Sequence, residues 1–389
     1  MKNIHLAKDI LAKLVSYPIH SGASNLPIME YIGDYLSSHG VEYQLIYDEG
    51  RENANLHCRI GPAVDGGIIL SGHTDVVPVE GQHWHSDPFQ LTERDGKLYA
   101  RGSCDMKGFL ACCLACVPDM LAADLQKPIY FAFSFDEEIG CQQGQVLADG
   151  IRDFYEEKPK YAIIGEPSLM QPIVGQKGII YFETTVHGSA GHSSGIRKEV
   201  SAIHEAARLI MWLENKMDTM IEAGLIDSRF TPDHTSIHIG IIEGGIAVNI
   251  VAEKCVFKWD IRNIPKVSIR QVQAEFEAHC REREDMLRKR FTGAKIETRD
   301  LHPVVVPLDT PAHLSIVEMV QRLSGNNELG TVAYAAEAGQ FSQAGFETVI
   351  CGPGSIEQAH RADEFISLEQ LEKGVAFIRE IIKEMELGK

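Results

Sequence analysis

A chain of 389 residues that is 44% hydrophobic and 24% charged has the composition of a soluble globular protein, long enough for two domains and for a core that needs no disulfide or metal staple. Disordered, collagen-like and coiled-coil architectures do not fit it. Lys and Arg number 37 against 55 Asp and Glu, a net charge of −18, which disfavours nucleic acid and anionic membranes as partners.

Helical periodicity opens the chain at Ile4 to Val15, an amphipathic segment with Lys8, Asp9 and Lys13 and not a signal peptide. A second helix is predicted over Leu26 to His39. Gly67 to Leu70 reads as a buried strand that ends at Ser71-Gly72. Met106 to Leu125 reads as a buried helix rich in Ala and Cys, with a kink at Pro118. Pro128 to Phe135 and Tyr161 to Ile164 are further buried strands. This alternation predicts a mostly parallel sheet covered on both faces. The pattern changes at about Lys177. A strand over Ile179 to Val186, a helix over 198–223, strands over Thr235 to Ile242 and Lys254 to Arg262, a helix over 269–290 and a strand over 295–298 make a small α+β, ferredoxin-like unit. In its third strand Cys255, Phe257, Trp259 and Ile261 alternate with Lys254, Lys258, Asp260 and Arg262, as in a half-exposed antiparallel strand. Helix and strand signals then resume at 312–323 and 348–351. The reading is an α/β domain of residues 1–176 and 302–389 with residues 177–301 inserted. No run reaches the roughly 18 apolar residues of a membrane span. Nine cysteines, an odd number, with Cys112, Cys113 and Cys116 crowded together, read as unpaired thiols of a cytoplasmic protein.

Five places at or near predicted strand ends carry metal-type ligands: His73 with Asp75, Asp105, Glu137 with Glu138, Glu166 and His360. Taken singly, a histidine after a strand is usually structural and an acidic pair is usually a solvated loop. In a parallel sheet, however, all five gather at one edge, where ligands bind. So many carboxylates buried together require cations. Two His and three carboxylates without Cys form a donor set that suits zinc, cobalt or manganese. Five donors suit two ions that share one carboxylate. A pair of such ions is amide-hydrolysis machinery. Glu137 is left over as general base, and Asp75 is placed to accept the other imidazole N–H of His73.

The string Ser71-Gly72-His73-Thr74-Asp75-Val76-Val77-Pro78, Trp84, Asp87-Pro88-Phe89, Arg101-Gly102, Asp105-Met106-Lys107-Gly108 and Asp136-Glu137-Glu138 resembles the dinuclear zinc aminoacylase and carboxypeptidase family. The resemblance covers essentially the whole chain. Glu166-Pro167-Ser168, Glu243-Gly244-Gly245, Asn249-Ile250-Val251, Glu337-Ala338-Gly339 and Gly352-Pro353-Gly354 are most similar to the acetylornithine deacetylase branch. The resemblance implies a two-domain, zinc-peptidase-like α/β sandwich whose inserted unit is a lid and dimerisation domain. It implies two divalent ions, Zn2+ foremost with Co2+ able to substitute. Asp105 would bridge them, His73 and Glu166 would complete one site, and Glu138 and His360 the other. Glu137 would be the base and Asp75 the residue that orients His73, and a cis peptide is expected after Asp105. His192 would reach the site of a partner subunit and stabilise an oxyanion. Asn249 and Arg262 would hold the substrate's polar groups and α-carboxylate.

The implied reaction is hydrolysis of N2-acetyl-L-ornithine to ornithine and acetate, in arginine biosynthesis. N-succinyl-diaminopimelate, another N-acyl amino acid or a dipeptide are the alternative substrates. A metal-binding regulatory protein on the same fold is the alternative outside enzymes, and the presence of Glu137 and of every ligand speaks against it. Several residues carry a plainer reading as well. His192 could be a merely exposed loop residue, Arg262 part of a cross-strand ion pair and Asn249 a turn residue. Glu337 could meet a substrate ammonium or serve a helix N-cap or loop. The N–H of Gly352 could meet a carboxylate or belong to an ordinary turn. Cys104, Gln142-Gln143, Gly191 and Ala252 depart from the family pattern, on or beside loops and on no proposed ligand.

Overall fold

A computed structural model describes residues 2–20 and 22–388. The chain divides into two compact units, one formed by residues 1–175, 308–331 and 336–389, the other by 176–307 and 332–335.

The first unit is built on a nine-stranded mixed sheet. Its centre is parallel: Ile129–Ser134, Ile68–His73, Tyr161–Pro167 and Glu347–Gly352 lie side by side in that order, with His73 opposite Ser134. Antiparallel strands extend both flanks, Ala54–Ile60 and Tyr43–Tyr47 on one side and Ile173–Gln176 on the other. The expectation of a mostly parallel sheet therefore holds for the four central strands and not for the flanks. Successive residues of the central strands face opposite sides. Leu70, Phe131, Phe133, Ile163 and Val349 enter one core with helices Lys2–Val15, Leu26–Ser38, Lys107–Ala115, Ser315–Ser324 and Leu368–Glu386. Helices Gly144–Phe154 and Ala338–Gln343 pack on the other face.

Every residue of Lys107–Ala115 is buried, which explains its small Ala and Cys side chains. The segment predicted as one helix with a kink is two. Cys116 ends the first and precedes Val117–Ala122, whose first turn holds Pro118, where a missing N–H costs nothing. Two glycines let this layer approach the sheet. A Cβ on Gly72 would strike Met106 and Leu110, and one on Gly165 would strike the Phe109 ring. All nine cysteines are buried and none forms a disulfide.

The second unit has the βαββαβ order expected of a ferredoxin-like fold: strands Gly178–His187, Ser236–Gly244, Lys254–Asn263 and Lys295–Asp300 with helices Ala202–Glu222 and Ile269–Arg288. The sheet is antiparallel, in the order second, third, first, fourth. Cys255, Phe257, Trp259 and Ile261 are buried with Phe182, Leu209, Leu213 and Phe276 beneath the helices, as the alternation predicted. The helices start at Ser201 and Ser268, whose hydroxyls accept the N–H groups of His204 and Gln271. Among the described residues, no helix is long and apolar enough to cross a membrane.

Candidate metal centre and active site

Because the central strands run parallel, their carboxyl ends lie on one edge of the sheet. His73 is the last residue of its strand, Glu166 lies near the end of the next, and the loop Phe135–Glu138 leaves the strand on the other side. Asp105 arrives from the segment that precedes the buried helix, and its peptide bond to Met106 is cis.

His73 explains the chemistry of this edge. Its Nδ1 faces the Asp75 carbonyl at 3.0 Å, an acceptor, so Nδ1 carries the ring proton. Its Nε2 faces only carboxylates, Asp105 Oδ1 at 3.2 Å and Glu166 Oε1 at 3.8 Å. Glu166 Oε1 is buried without a hydrogen-bond partner among the described residues. On the other side of Asp105, His360 Nε2 lies 3.4 Å from its Oδ2 and 2.9 Å from Glu138 Oε2. His73, Asp105 and Glu138 present oxygen and nitrogen atoms within 4.8 Å of one another, and so do His73, Glu137 and Glu166.

Four carboxylates crowd against the buried His73 ring and the more exposed His360 ring, and the proton affinities show the conflict. Burial, with the neighbouring carboxylates, pushes Glu137 and Glu166 well above the usual range and Glu138 up to about 7. Burial also acts to raise Asp105, but hydrogen bonds from His360 and His73 outweigh it and hold this group below the ordinary range. Asp105 and Glu138 hold the His360 proton, moving that ring up to about 10. Burial acts to lower His73, and its bonds to Asp105 and Asp75 reverse this to a raised value. A lone pair and carboxylate oxygens that converge on one point are the donor set of a divalent cation, which would keep the acids ionised and both imidazoles neutral.

The structure brings His73, Asp75, Asp105, Glu137, Glu138, Glu166 and His360 together. It gives Asp75 a larger task than orienting His73. Its carboxylate is 3.4 Å from His73 Nδ1, farther than its own carbonyl, and it accepts the N–H groups of Glu137 (3.3 Å) and Glu138 (3.1 Å). It therefore holds the loop that carries both glutamates. Glu337 is fully buried at the start of Ala338–Gln343 without capping it. Its Oε2 accepts Ser134 Oγ–H at 2.9 Å, its Oε1 has no hydrogen-bond partner among the described residues, and burial pushes the carboxyl up to about 7. Gly352 is not free to bind a carboxylate. Its N–H donates to Ser168 Oγ at 3.1 Å, that of Gly354 donates to Gln370 Oε1 at 3.1 Å, and Pro353 has none.

His192, Asn249 and Arg262 belong to the second unit. His192 and Asn249 are exposed neighbours, joined by the Ser193 N–H to Asn249 carbonyl bond (3.0 Å) and the pairing of Gly191–His192 with Ile250–Val251. Arg262 is half-buried opposite Ile179, at the far end of Lys254–Asn263, so about 26 Å of strand separates the two places. One ligand cannot meet all three within one copy of this unit. Its cross-strand alternative is also weak, since Arg262 Nε is 3.8 Å from Asp260 Oδ1 on its own strand.

The sequence analysis did not single out Glu364, a fully buried carboxylate. Its Oε1 accepts the N–H groups of both Cys104 (2.9 Å) and Asp105 (3.0 Å), and its Oε2 pairs with the equally buried Arg101 at 2.7 Å. A Glu four residues after His360 was the available signal. Cys141, whose thiol lies 3.3 Å from Glu137 Oε1, left none.

The pattern of the Peptidase family M20/M25/M40 matches residues 69–384. The chain belongs to that family. It is a metal-dependent amidohydrolase, and the family is the one its motif string resembles. The chain is 32% identical, over its whole length and that of the relative, to a protein named acetylornithine deacetylase from Pasteurella multocida strain Pm70. It is 33% identical, over 96% of each chain, to one of the same name from Yersinia pseudotuberculosis. Among solved structures, a tripeptidase from Staphylococcus aureus superposes over 100% of both chains with a TM-score of 0.77 at 19% identity, a likeness of fold.

Proposed function

We propose that this hydrolase removes the acetyl group from N2-acetyl-L-ornithine, giving L-ornithine and acetate, as a cytoplasmic step of arginine biosynthesis. The observation that carries the chemistry is the convergence of His73 Nε2, Asp105, Glu138, Glu166 and His360 with Glu137 beside them. Full-length similarity to proteins named acetylornithine deacetylase supports the substrate.

His73, Asp105 and Glu166 would hold one divalent cation and Asp105, Glu138 and His360 a second, with zinc the reading for both and cobalt able to replace it. Such a pair supplies Lewis-acid polarisation of the amide carbonyl and acidifies water. The remaining work belongs to the side chains. Glu137 accepts the proton of the attacking water as its oxygen adds to the acetyl carbon, and returns it to the leaving nitrogen as the C–N bond breaks. Asp75 fixes the backbone of the loop that aims Glu137. His192 Nδ1 accepts the Ser194 N–H (3.2 Å), so a neutral ring carries its proton on Nε2, a donor suited to the oxyanion of the tetrahedral intermediate.

The distance between Arg262 and the His192–Asn249 pair supports a homodimeric reading. In that reading Arg262 and the His192–Asn249 pair would serve the substrates of different copies. An exposed apolar edge supports the same reading. Strand Ser236–Gly244 lies at the border of its sheet, and it and the following loop expose Ile241, Ile242, Ile246 and Val248.

The test follows acetate from N2-acetyl-L-ornithine and succinate from N-succinyl-L,L-diaminopimelate with the zinc-loaded chain. Acetate release in excess of succinate release is expected, and the reverse would replace the substrate while keeping the chemistry. Mixing inactive His192→Ala with inactive Glu137→Gln protein is expected to restore activity through mixed dimers. No recovery after subunit exchange would remove His192 from the partner's site.

A further inference from the structure

We infer that Gln82 is a positioning residue. Through Arg101 and Glu364 it ties the backbone of His360 to that of Asp105 and so sets the spacing of the imidazole and carboxylate in one half of the donor cluster. The inference rests on the proposed reading of that cluster as a cation site. Glu364 holds the Asp105 end through the N–H groups of Cys104 and Asp105 and passes the relay to Arg101 at 2.7 Å. Arg101 Nη2 donates to Gln82 Oε1 at 2.6 Å, and Trp84 Nε1 donates to the same oxygen at 3.2 Å while its ring lies 5.1 Å from the guanidinium carbon. These two donors fix the amide, so the Gln82 NH2 group faces the other way. There Nε2 donates to the His360 carbonyl at 2.9 Å.

His360 needs an external hold. Its φ of +63° is a left-handed conformation that a residue with a Cβ keeps where its surroundings impose it, and its ring is largely exposed. The same two loops are also joined by the His85 N–H to Asp363 Oδ1 at 2.9 Å, so loss of Gln82 leaves them tethered. What Gln82 adds is a fixed path from the carbonyl of one ligand to the amide of another. Partners of this kind orient metal ligands, and their loss typically weakens binding about 10- to 100-fold.

Arg101 and Glu364 are poor targets, since removing either strands a fully buried charge. Gln82 is half-buried. Gln82→Glu keeps the acceptor for Arg101 and Trp84 but sets an oxygen against the His360 carbonyl. Gln82→Met keeps the length and removes all three bonds. The full chain is stripped of metal and titrated with Co2+ against a chelating dye, the visible cobalt spectrum is recorded, and the metal-free protein is melted. Wild type is expected to take two ions. Both variants are expected to weaken one of the two about 10- to 100-fold, to alter the cobalt spectrum, and to melt as wild type does when metal-free. Variants that bind both ions as wild type does would overturn the inference. So would variants that lose both together with a lower metal-free melting temperature, since Gln82 would then be a general loop clamp. A wild-type chain that takes no cobalt would overturn the cation reading itself, and this inference with it.

Discussion

Glu137→Gln is expected to lower kcat for deacetylation about 10²- to 10⁴-fold, the range of a positioned general base, with KM and the two cation affinities close to wild type. The substitution keeps the side chain's size, so the packing around it and the Asp75 bond to its N–H remain. What would be lost is the carboxylate that the proposed ligand set leaves free to take a proton from water and return it. Glutamine has no such site at neutral pH. Steady-state kinetics on acetate release, with metal content measured on the same preparations, checks this. A variant that keeps a tenth or more of wild-type kcat with two ions bound would assign the proton transfer elsewhere, and Asp136, close by and raised to about 6 by burial and by Asp75, would be the next group to test.

The second large effect concerns the metal-free protein, which is expected to lose stability steadily as the pH rises from about 4.5 to about 8. Glu138 and Glu337 are each raised from 4.5 to about 7, and His360 from 6.5 to about 10. Each of these groups binds its proton more tightly in the folded chain than in the unfolded one. Its contribution is therefore complete below the unfolded value and is lost as the pH climbs through the folded one. Glu137 and Glu166, also raised, act in the same direction. Asp105 has the opposite sign, but its loss of stability falls below about pH 4, outside this window; His57, lowered to about 4 by burial, and Lys107, lowered to about 7 by burial, also have the opposite sign and offset part of the decline. For the fully buried Glu337 the effect is on the order of 3 kcal/mol between pH 4.5 and 8. Calorimetric melting of chelator-treated protein across this range is expected to show the decline, steeper in wild type than in Glu337→Gln. Saturating zinc is expected to remove the part of it that comes from the ligand cluster, because cations hold those carboxylates ionised, and to leave the part due to Glu337. A metal-free melting temperature that stays level or climbs from pH 5 to pH 8 would contradict the electrostatic picture of the cluster.

Much of this site was legible because its residues stand at the ends of short buried runs. His73 after Ile68–Leu70, Glu137-Glu138 after Ile129–Ser134, and Glu166 in Tyr161–Pro167 occupy one edge as soon as those strands are parallel. The flanking strands were illegible for a physical reason. Ala54–Ile60 sets Asn55, His57 and Arg59 on one face, which reads as solvent-exposed, yet Asn55 and His57 are buried there near Gly144–Phe154 and Tyr155, with His57 Nδ1 3.1 Å from the Tyr155 hydroxyl. Backbone hydrogen bonds were likewise hidden. Nothing in Gly352-Pro353-Gly354 says that Ser168 and Gln370 already take its N–H groups, or that the Asp75 carboxylate serves two backbone amides. The distance from Arg262 to His192 follows from strand register, which spacing in the sequence does not convey.

The most direct test of the account is to remove metal from the full chain, confirm that acetate release from N2-acetyl-L-ornithine has stopped, and add back Zn2+ or Co2+ in measured steps. The account predicts that activity returns with the ions bound and that binding saturates at about two per chain, as expected for two sites sharing one carboxylate. Full activity in the stripped protein, or tight binding of two ions with no hydrolysis of any N-acyl amino acid or dipeptide, would contradict it.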